Sequence, residues 1–142
     1  MSTPSLKILF VCRGNRMRSV VAEALYRRLG GQADSAGIKP ARRISRIAKD
    51  YLKKEGALEF CKEKPEGLEG RELDDYDLIV LLDKHISKKE FTEYHHRLHT
   101  QHFPDPWLRP FNAQKIYRDI KEFVDLIGKL NKNNLESTLQ DS

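Results

Sequence analysis

The stretch from Leu6 to Leu29 constrains the fold most, because a strand, an aperiodic loop and a helix follow one another within it. Leu6 to Val11 (LKILFV) is a continuous apolar run closed by Cys12. Its brevity and its Val, Ile and Phe content predict a buried strand rather than a helix. From Ser19 the period changes: Val20, Ala24, Leu25 and Leu29 recur at helical spacing, and Gly30-Gly31 supplies a stop. Between the two lies Arg13-Gly14-Asn15-Arg16-Met17-Arg18, in which Gly14 and Asn15 are the residue types that most readily take positive φ.

The rest of the chain repeats this alternation. Ala33 to Gly37 reads as a second strand, and Pro40 opens a helix whose apolar positions are Ile44, Ile47, Ala48, Tyr51 and Leu52, closed at Gly56. Cys61 to Gly70, rich in Lys, Glu, Gly and Pro, reads as an exposed connection. Leu78 to Leu82 is the clearest second buried strand; a helix near His85 to Tyr94 and a strand over Leu98 to Phe103 follow it. Pro104-Asp105-Pro106-Trp107 then interrupts all regular structure. A last helix is predicted from Asn112 to Leu130, with Ile116, Ile120, Phe123, Val124, Ile127 and Leu130 on one stripe. Strands alternating with helices predict an α/β single-domain three-layer sandwich, its central, mainly parallel four-stranded sheet covered by helices on both faces. The domain is expected to span residues 1–130, with 131–142 a polar, frayed tail. Ligands of such sheets bind beyond the C-terminal strand ends, where Cys12 and Asp83 both fall.

Composition excludes several classes. The 142 residues are 39% hydrophobic and 33% charged, and no run approaches the roughly 20 apolar residues of a membrane span. The first apolar run is too short for a secretory signal, so a cytoplasmic location is expected. Two cysteines, Cys12 and Cys61, make no disulfide scaffold and lack metal-type spacing. The net charge of +5 comes with arginines weighted toward the first third of the chain, around Cys12. That balance fits an anionic ligand as well as nucleic acid, and interleaved aromatic platforms for the latter are missing.

A Gly-bearing loop between a strand and a helix directs several N–H groups into one concavity, and the helix dipole adds positive potential. Such a cradle suits a tetrahedral oxyanion. Arg18 at its rim can grip two oxygens with a planar fork. A cysteine at its base is expected to ionise near neutrality, so the groups that bind the anion also activate a nucleophile. Ser19 can cap the helix or donate its hydroxyl to the sulfur. The spacing is neither that of a Walker A loop nor that of a dinucleotide fingerprint.

Cys12-Arg13-Gly14-Asn15-Arg16-Met17-Arg18-Ser19, set between a strand and a helix carrying Ala22-Glu23, resembles the signature loop of low-molecular-weight protein tyrosine phosphatases. Ser35-Ala36-Gly37, the Asp-ended strand Asp77 to Asp83 and Asp105-Pro106-Trp107 resemble further family elements in the same order, so the resemblance spans Leu6 to Leu130. It implies that Cys12 attacks phosphorus to form a phosphocysteine. Arg18 and the amides of the loop, residues Arg13, Gly14, Asn15, Arg16, Met17 and Ser19, would hold the phosphate oxygens. Asp105 would protonate the leaving phenolate and then activate water. The resemblance gives Asn15 the task of holding the loop in shape and Ser19 that of stabilising the thiolate. Trp107 is a candidate pocket wall. No metal or other cofactor is required. The expected partner is a phosphorylated protein or peptide, with inorganic phosphate as product, and neither nucleic acid nor membrane; a monomer or weak homo-oligomer is expected.

The sequence also departs from the family pattern. Met17 stands where the family often has a second cysteine, so a protective disulfide with Cys12 is not expected. Only Ile38-Lys39-Pro40-Ala41 follows Gly37 before the second helix, which shortens one wall of the pocket. Val20 replaces a usual Pro. Arg13 and Arg16 replace apolar or small loop residues, and an arginine at the leaving-group side favours acidic or multiply phosphorylated partners. Asp83 is expected to be structural, as a cap for the next helix, and Cys61 a small core residue. His95, His96, His99 and His102 suggest a metal, but without a completing Cys or carboxylate set a solvated basic segment is the better reading. Two alternatives to a phosphatase are an arsenate reductase of the same fold, whose chemistry needs a relay of two further cysteines, and a non-catalytic phosphate-binding module.

Overall fold

A computed structural model of the chain describes residues 4–106 and 110–131. Four parallel strands, β1 (Lys7–Cys12), β2 (Gln32–Gly37), β3 (Leu78–Leu81) and β4 (Leu98–Thr100), form one sheet in the order β2-β1-β3-β4. The α-helices are α1 (Arg18–Arg28), α2 (Arg46–Lys54) and α3 (Ala113–Ile127). This is the α/β sandwich with a parallel four-stranded sheet that the alternation of patterns predicts.

Strand alternation divides the core in two. Ile8, Phe10 and Cys12 of β1 and Leu78 and Val80 of β3 face the layer of α1, α2 and α3. Leu9, Val11, Ile79 and Leu81 face the other way, onto Tyr76 and Phe91, with Leu73 and Tyr94 at the margin. That second layer consists of the 3₁₀ turn Leu73–Asp75 and the 3₁₀ run Lys88–Arg97, so helical segments cover both faces. Phe10, Ile8, Leu9, Ile79 and Leu81 are wholly buried, each worth roughly 1.5–3 kcal/mol of transfer free energy.

Several boundaries differ from the sequence expectation. The helix expected to open at Pro40 begins at Arg46, where the Ser45 side chain accepts a hydrogen bond from the Ala48 amide. The amides of Ala41 and Ser45 are instead spent on Gly14 O and Arg16 O, which keeps 41–45 out of the helix and against the loop. Ile47, read as an apolar core position, is 43% exposed. The segment from His85 to Tyr94 contains no α-helix; its regular part is the 3₁₀ run from Lys88 to Arg97. β4 stops at Thr100, three residues before Phe103.

The parallel register sets Cys12 beside Gly37, while Leu82 donates to Val11 O and Phe103 to Leu82 O. The C-terminal ends of β1, β2 and β3, and the segment after β4, therefore converge on one edge of the sheet. Among the described residues no helix is long and apolar enough to cross a membrane.

Candidate active site

The loop between β1 and α1 wraps around the end of β2, and the fit is close. A Cβ at Gly37 would lie 2.8 Å from Asn15 N and 2.9 Å from Arg13 O, so only glycine permits this approach. Of the two residues expected to take positive φ, Asn15 does so at +50°, while Gly14 does not. Met17, at the N-cap of α1, makes no side-chain cap, and the first turn carries no acidic residue. The leading amides of α1 thus have no side-chain acceptor competing with an anion.

Asn15 is fully buried and uses every hydrogen-bonding capacity of its amide. Its Nδ2 donates to Ser19 Oγ at 2.8 Å and to Ser35 Oγ at 2.9 Å. Its Oδ1 accepts from Lys62 Nζ and from the Glu66 amide, both at 2.8 Å. A left-handed residue is intrinsically costly, and these four bonds fix it in place. Because Ser19 Oγ accepts from Asn15, its own proton is free to point at Cys12 Sγ, 2.9 Å away.

The network continues beneath the loop. Ser35 donates in a short hydrogen bond to Glu23 Oε1, a carboxylate buried within α1. Burial raises the Glu23 carboxyl above its ordinary value, against the lowering effects of the Ser35 hydrogen bond and the Arg27 and Lys62 charges. Lys62 reaches in from the segment read as an exposed connection. Its side chain is only 8% exposed, and Nζ also donates to Ser35 O at 2.9 Å and pairs with Glu66 Oε1 at 2.9 Å. The composition of 61–70 is that of a solvated strand of chain; its tertiary role is to plug the underside of the loop.

Arg18 is equally anchored. Both hydrogens of Nη1 are committed, to Asp83 Oδ2 and to Phe103 O, each at 2.9 Å. That leaves the Nε–Nη2 edge for a ligand. Asp83 accepts from the His85 amide at 2.8 Å, as a cap would, but its ion pair with the 3%-exposed Arg18 is the larger finding. Burial raises the Asp83 carboxyl, yet the His85 amide together with the hydrogen bond and charge of Arg18 outweighs it and holds the group below its usual range. His102 Nδ1 accepts from the Lys84 amide at 3.0 Å, so that nitrogen carries no proton; burial likewise lowers the imidazole.

A cavity of about 180 Å³ opens above the sulfur, lined by Cys12, Arg13, Gly14, Arg16, Met17, Arg18, Lys39 and Asp105. Asp105 Oδ2 stands 3.8 Å from Arg18 Nη2, outside hydrogen-bond distance. The structure thus gathers Cys12, Arg18, Asp105 and most of the loop around one space. Trp107 lies outside the described residues. Cys61 is half-buried against the core and does not line the cavity; burial pushes its thiol up.

The comparisons with known proteins agree with this geometry. The family model described as Low molecular weight phosphotyrosine protein phosphatase matches residues 7–135. The chain belongs to the low-molecular-weight phosphotyrosine protein phosphatase family. Among solved structures it is similar to an arsenate reductase from Archaeoglobus fulgidus DSM 4304, at 30% identity and a TM-score of 0.72, covering 86% of this chain and 99% of that one. It is similar to the low-molecular-weight protein tyrosine phosphatase from T. tengcongensis, at 26% identity and a TM-score of 0.72, covering 89% and 100%. An arginine phosphatase from Geobacillus stearothermophilus shares the fold at 24% identity and a TM-score of 0.66, covering 96% and 94%. No curated protein sequence matches.

Within this family architecture, sequence reasoning quoted Glu23, Ser35 and Gly37 only as parts of matching motifs and gave them no role, it did not single out Lys62, and for Asp83 it missed the pairing with Arg18. Asp83 and Gly37 carried a usable signal, since Gly37 ends β2 and Asp83 lies two residues beyond β3, on the edge that holds Cys12. Lys62 carried none.

Proposed function

We propose that this chain is a phosphatase that hydrolyses phosphotyrosine, or a closely similar aryl phosphate, through a phosphocysteine intermediate. The observation that carries the reading is the single small cavity shared by Cys12, Arg18 and Asp105. The phosphate enters with its oxygens on the loop amides and on the Nε–Nη2 edge of Arg18. Cys12 Sγ attacks phosphorus, and the S–P bond forms as the bond to the phenolic oxygen breaks. Asp105 gives that oxygen its proton, so tyrosine leaves neutral. A water then attacks the phosphocysteine while Asp105 takes its proton; the S–P bond breaks, inorganic phosphate leaves, and the sulfur regains its electron pair. Charge on the equatorial oxygens is met throughout by Arg18 and the amides, and Asp83 and Phe103 O keep the guanidinium from having to find its position during the reaction.

The test is hydrolysis of p-nitrophenyl phosphate by the wild-type chain and by Cys12→Ser. Turnover by the wild type and none by the variant is expected. Equal rates would remove Cys12 from the chemistry, and tight phosphate binding without turnover in the wild type would make the chain a binding module.

The 30% identity to an arsenate reductase supports a second reading, arsenate reduction on the same cradle. That chemistry, as the sequence resemblance implies, needs two cysteines beyond the nucleophile. This chain has two in all, and Cys61 lies outside the cavity. The phosphatase reading is therefore favoured; arsenate-dependent oxidation of thioredoxin would reverse the order.

A further inference from the structure

The cavity above Cys12 is smaller than sites that enclose a whole small molecule, which run to roughly 300–1,000 Å³. It holds one group, and the rest of the substrate must lie on its rim. That rim is basic on one side. Arg16 lines the cavity and also lines a neighbouring open depression of about 510 Å³, whose other walls are Ala41, Arg42 and Arg43. Lys39 and Arg13 complete the margin. Across the two spaces the lining includes one carboxylate, Asp105, on the cavity side. Among the described residues none of Arg13, Lys39, Arg42 and Arg43 has a carboxylate within 4.0 Å, and all four are exposed.

The placement of these cations is built into the backbone. Ile38, Lys39, Ala41 and Ser45 donate in turn to the carbonyls of Cys12, Arg13, Gly14 and Arg16, at 3.1, 2.8, 2.9 and 2.9 Å. Arg42 and Arg43 sit between the last two of these bonds, so their Cα positions are fixed relative to the phosphate cradle. No aromatic side chain among the described residues lines either space. Recognition on this wall is therefore electrostatic.

We propose that the depression walled by Arg16, Arg42 and Arg43 is a second anion subsite, which takes an acidic side chain flanking the phosphorylated residue of a peptide. This inference rests on the phosphatase reading above and names its substrate class. The depression is open and continuous with the cavity through Arg16, as an extended acidic segment requires. The exposed cations Arg13, Lys39, Arg42 and Arg43, clustered at a cleft mouth, also raise the encounter rate with such a segment and lose that effect as salt screens them.

The experiment compares two phosphotyrosine peptides of equal length, one with Asp and Glu flanking the phosphotyrosine and one with Asn and Gln there. Wild-type protein and Arg42→Gln/Arg43→Gln are assayed at 0.05 and 0.5 M NaCl, with p-nitrophenyl phosphate as a control. Exposed ion pairs are each worth a factor of about 1.5 to 5, so the wild type should prefer the acidic peptide about tenfold in kcat/KM at low salt. The variant and high salt should each bring that preference to about twofold or less, with p-nitrophenyl phosphate hydrolysis within about twofold of wild type in the variant. Equal kcat/KM for both peptides in the wild type, or an undiminished preference in the variant, overturns the proposal. A third substrate, 4-carboxyphenyl phosphate, separates a peptide from a small dianion. If it depends on Arg42 and Arg43 and the acidic peptide does not, a peptide is the wrong ligand. Absence of any turnover by the wild type would instead sink the phosphatase reading, and the peptides would then be compared by binding to the wild type, where equal affinity overturns the subsite as well.

Discussion

Lys62→Met asks how far a single buried ammonium holds the loop between β1 and α1 in shape. Methionine keeps the length and packing of the stem and removes only the charged head. That head donates to Asn15 Oδ1 at 2.8 Å and Ser35 O at 2.9 Å, and pairs with Glu66 Oε1 at 2.9 Å. Hydrogen bonds from a charged donor are worth about 1.5–3 kcal/mol each. Several terms offset their loss. Asn15 Oδ1 keeps the Glu66 amide, Ser35 O keeps Arg71 Nη2 at 3.1 Å, and Glu66 is half exposed and can hydrate. The cost of burying the ammonium is also recovered. The net destabilisation should be about 2 kcal/mol, less than the roughly 3–6 kcal/mol that two such bonds would give without these offsets. In a domain of this size that lowers Tm by roughly 6–8 °C. Asn15 at φ +50° would be held by one fewer bond, so kcat for an aryl phosphate should fall about tenfold. Urea denaturation and steady-state kinetics on the same preparations measure both. A midpoint shift under about 0.3 kcal/mol together with kcat within twofold would mean that the loop keeps its shape without Lys62, and the reasoning fails.

Other perturbations separate the remaining parts of the site. Asp105→Asn should slow poor leaving groups, such as phenol, roughly 10²-fold or more, and p-nitrophenol far less; equal slowing would take Asp105 out of the acid role. Glu23 is raised by burial, so in the fold it keeps its proton above the unfolded value near 4.5. Its contribution to stability is fully present below that value and is lost as pH rises through the folded one. Glu23→Gln should therefore gain stability relative to wild type between pH 4 and pH 7 in denaturant titrations; a difference that stays constant with pH would contradict this. Gly37→Ala would push a methyl against Asn15 N and Arg13 O, and should cost about 1–3 kcal/mol and most of the activity. Wild-type stability in that variant would show that β2 and the loop separate easily.

The stretch from β1 to α1 was legible because its parts are contiguous. An apolar run, an aperiodic loop and a helical period fix a strand, a cradle and a helix by local rules, and Cys12 and Arg18 lie at the two ends of that loop. Likewise the alternation of strand and helix patterns decided the parallel sheet. The boundaries failed where long-range bonds compete with local ones: the helix was expected to open at Pro40, but the amides of Ala41 and Ser45 are used by the loop carbonyls.

What folding alone decided is the support under the cradle and the placing of its cation. Ser35, Lys62 and Glu66 lie 20, 47 and 51 residues from Asn15, and Asp83 lies 65 from Arg18. Lys62 stands in a run of Lys, Glu, Gly and Pro that any composition rule assigns to water. Its burial follows from acceptors that meet only when β2, the loop and the 61–70 segment are packed together. A hydrogen bond depends on a few tenths of an ångström between groups, and residue order encodes such distances only where the chain between them is short.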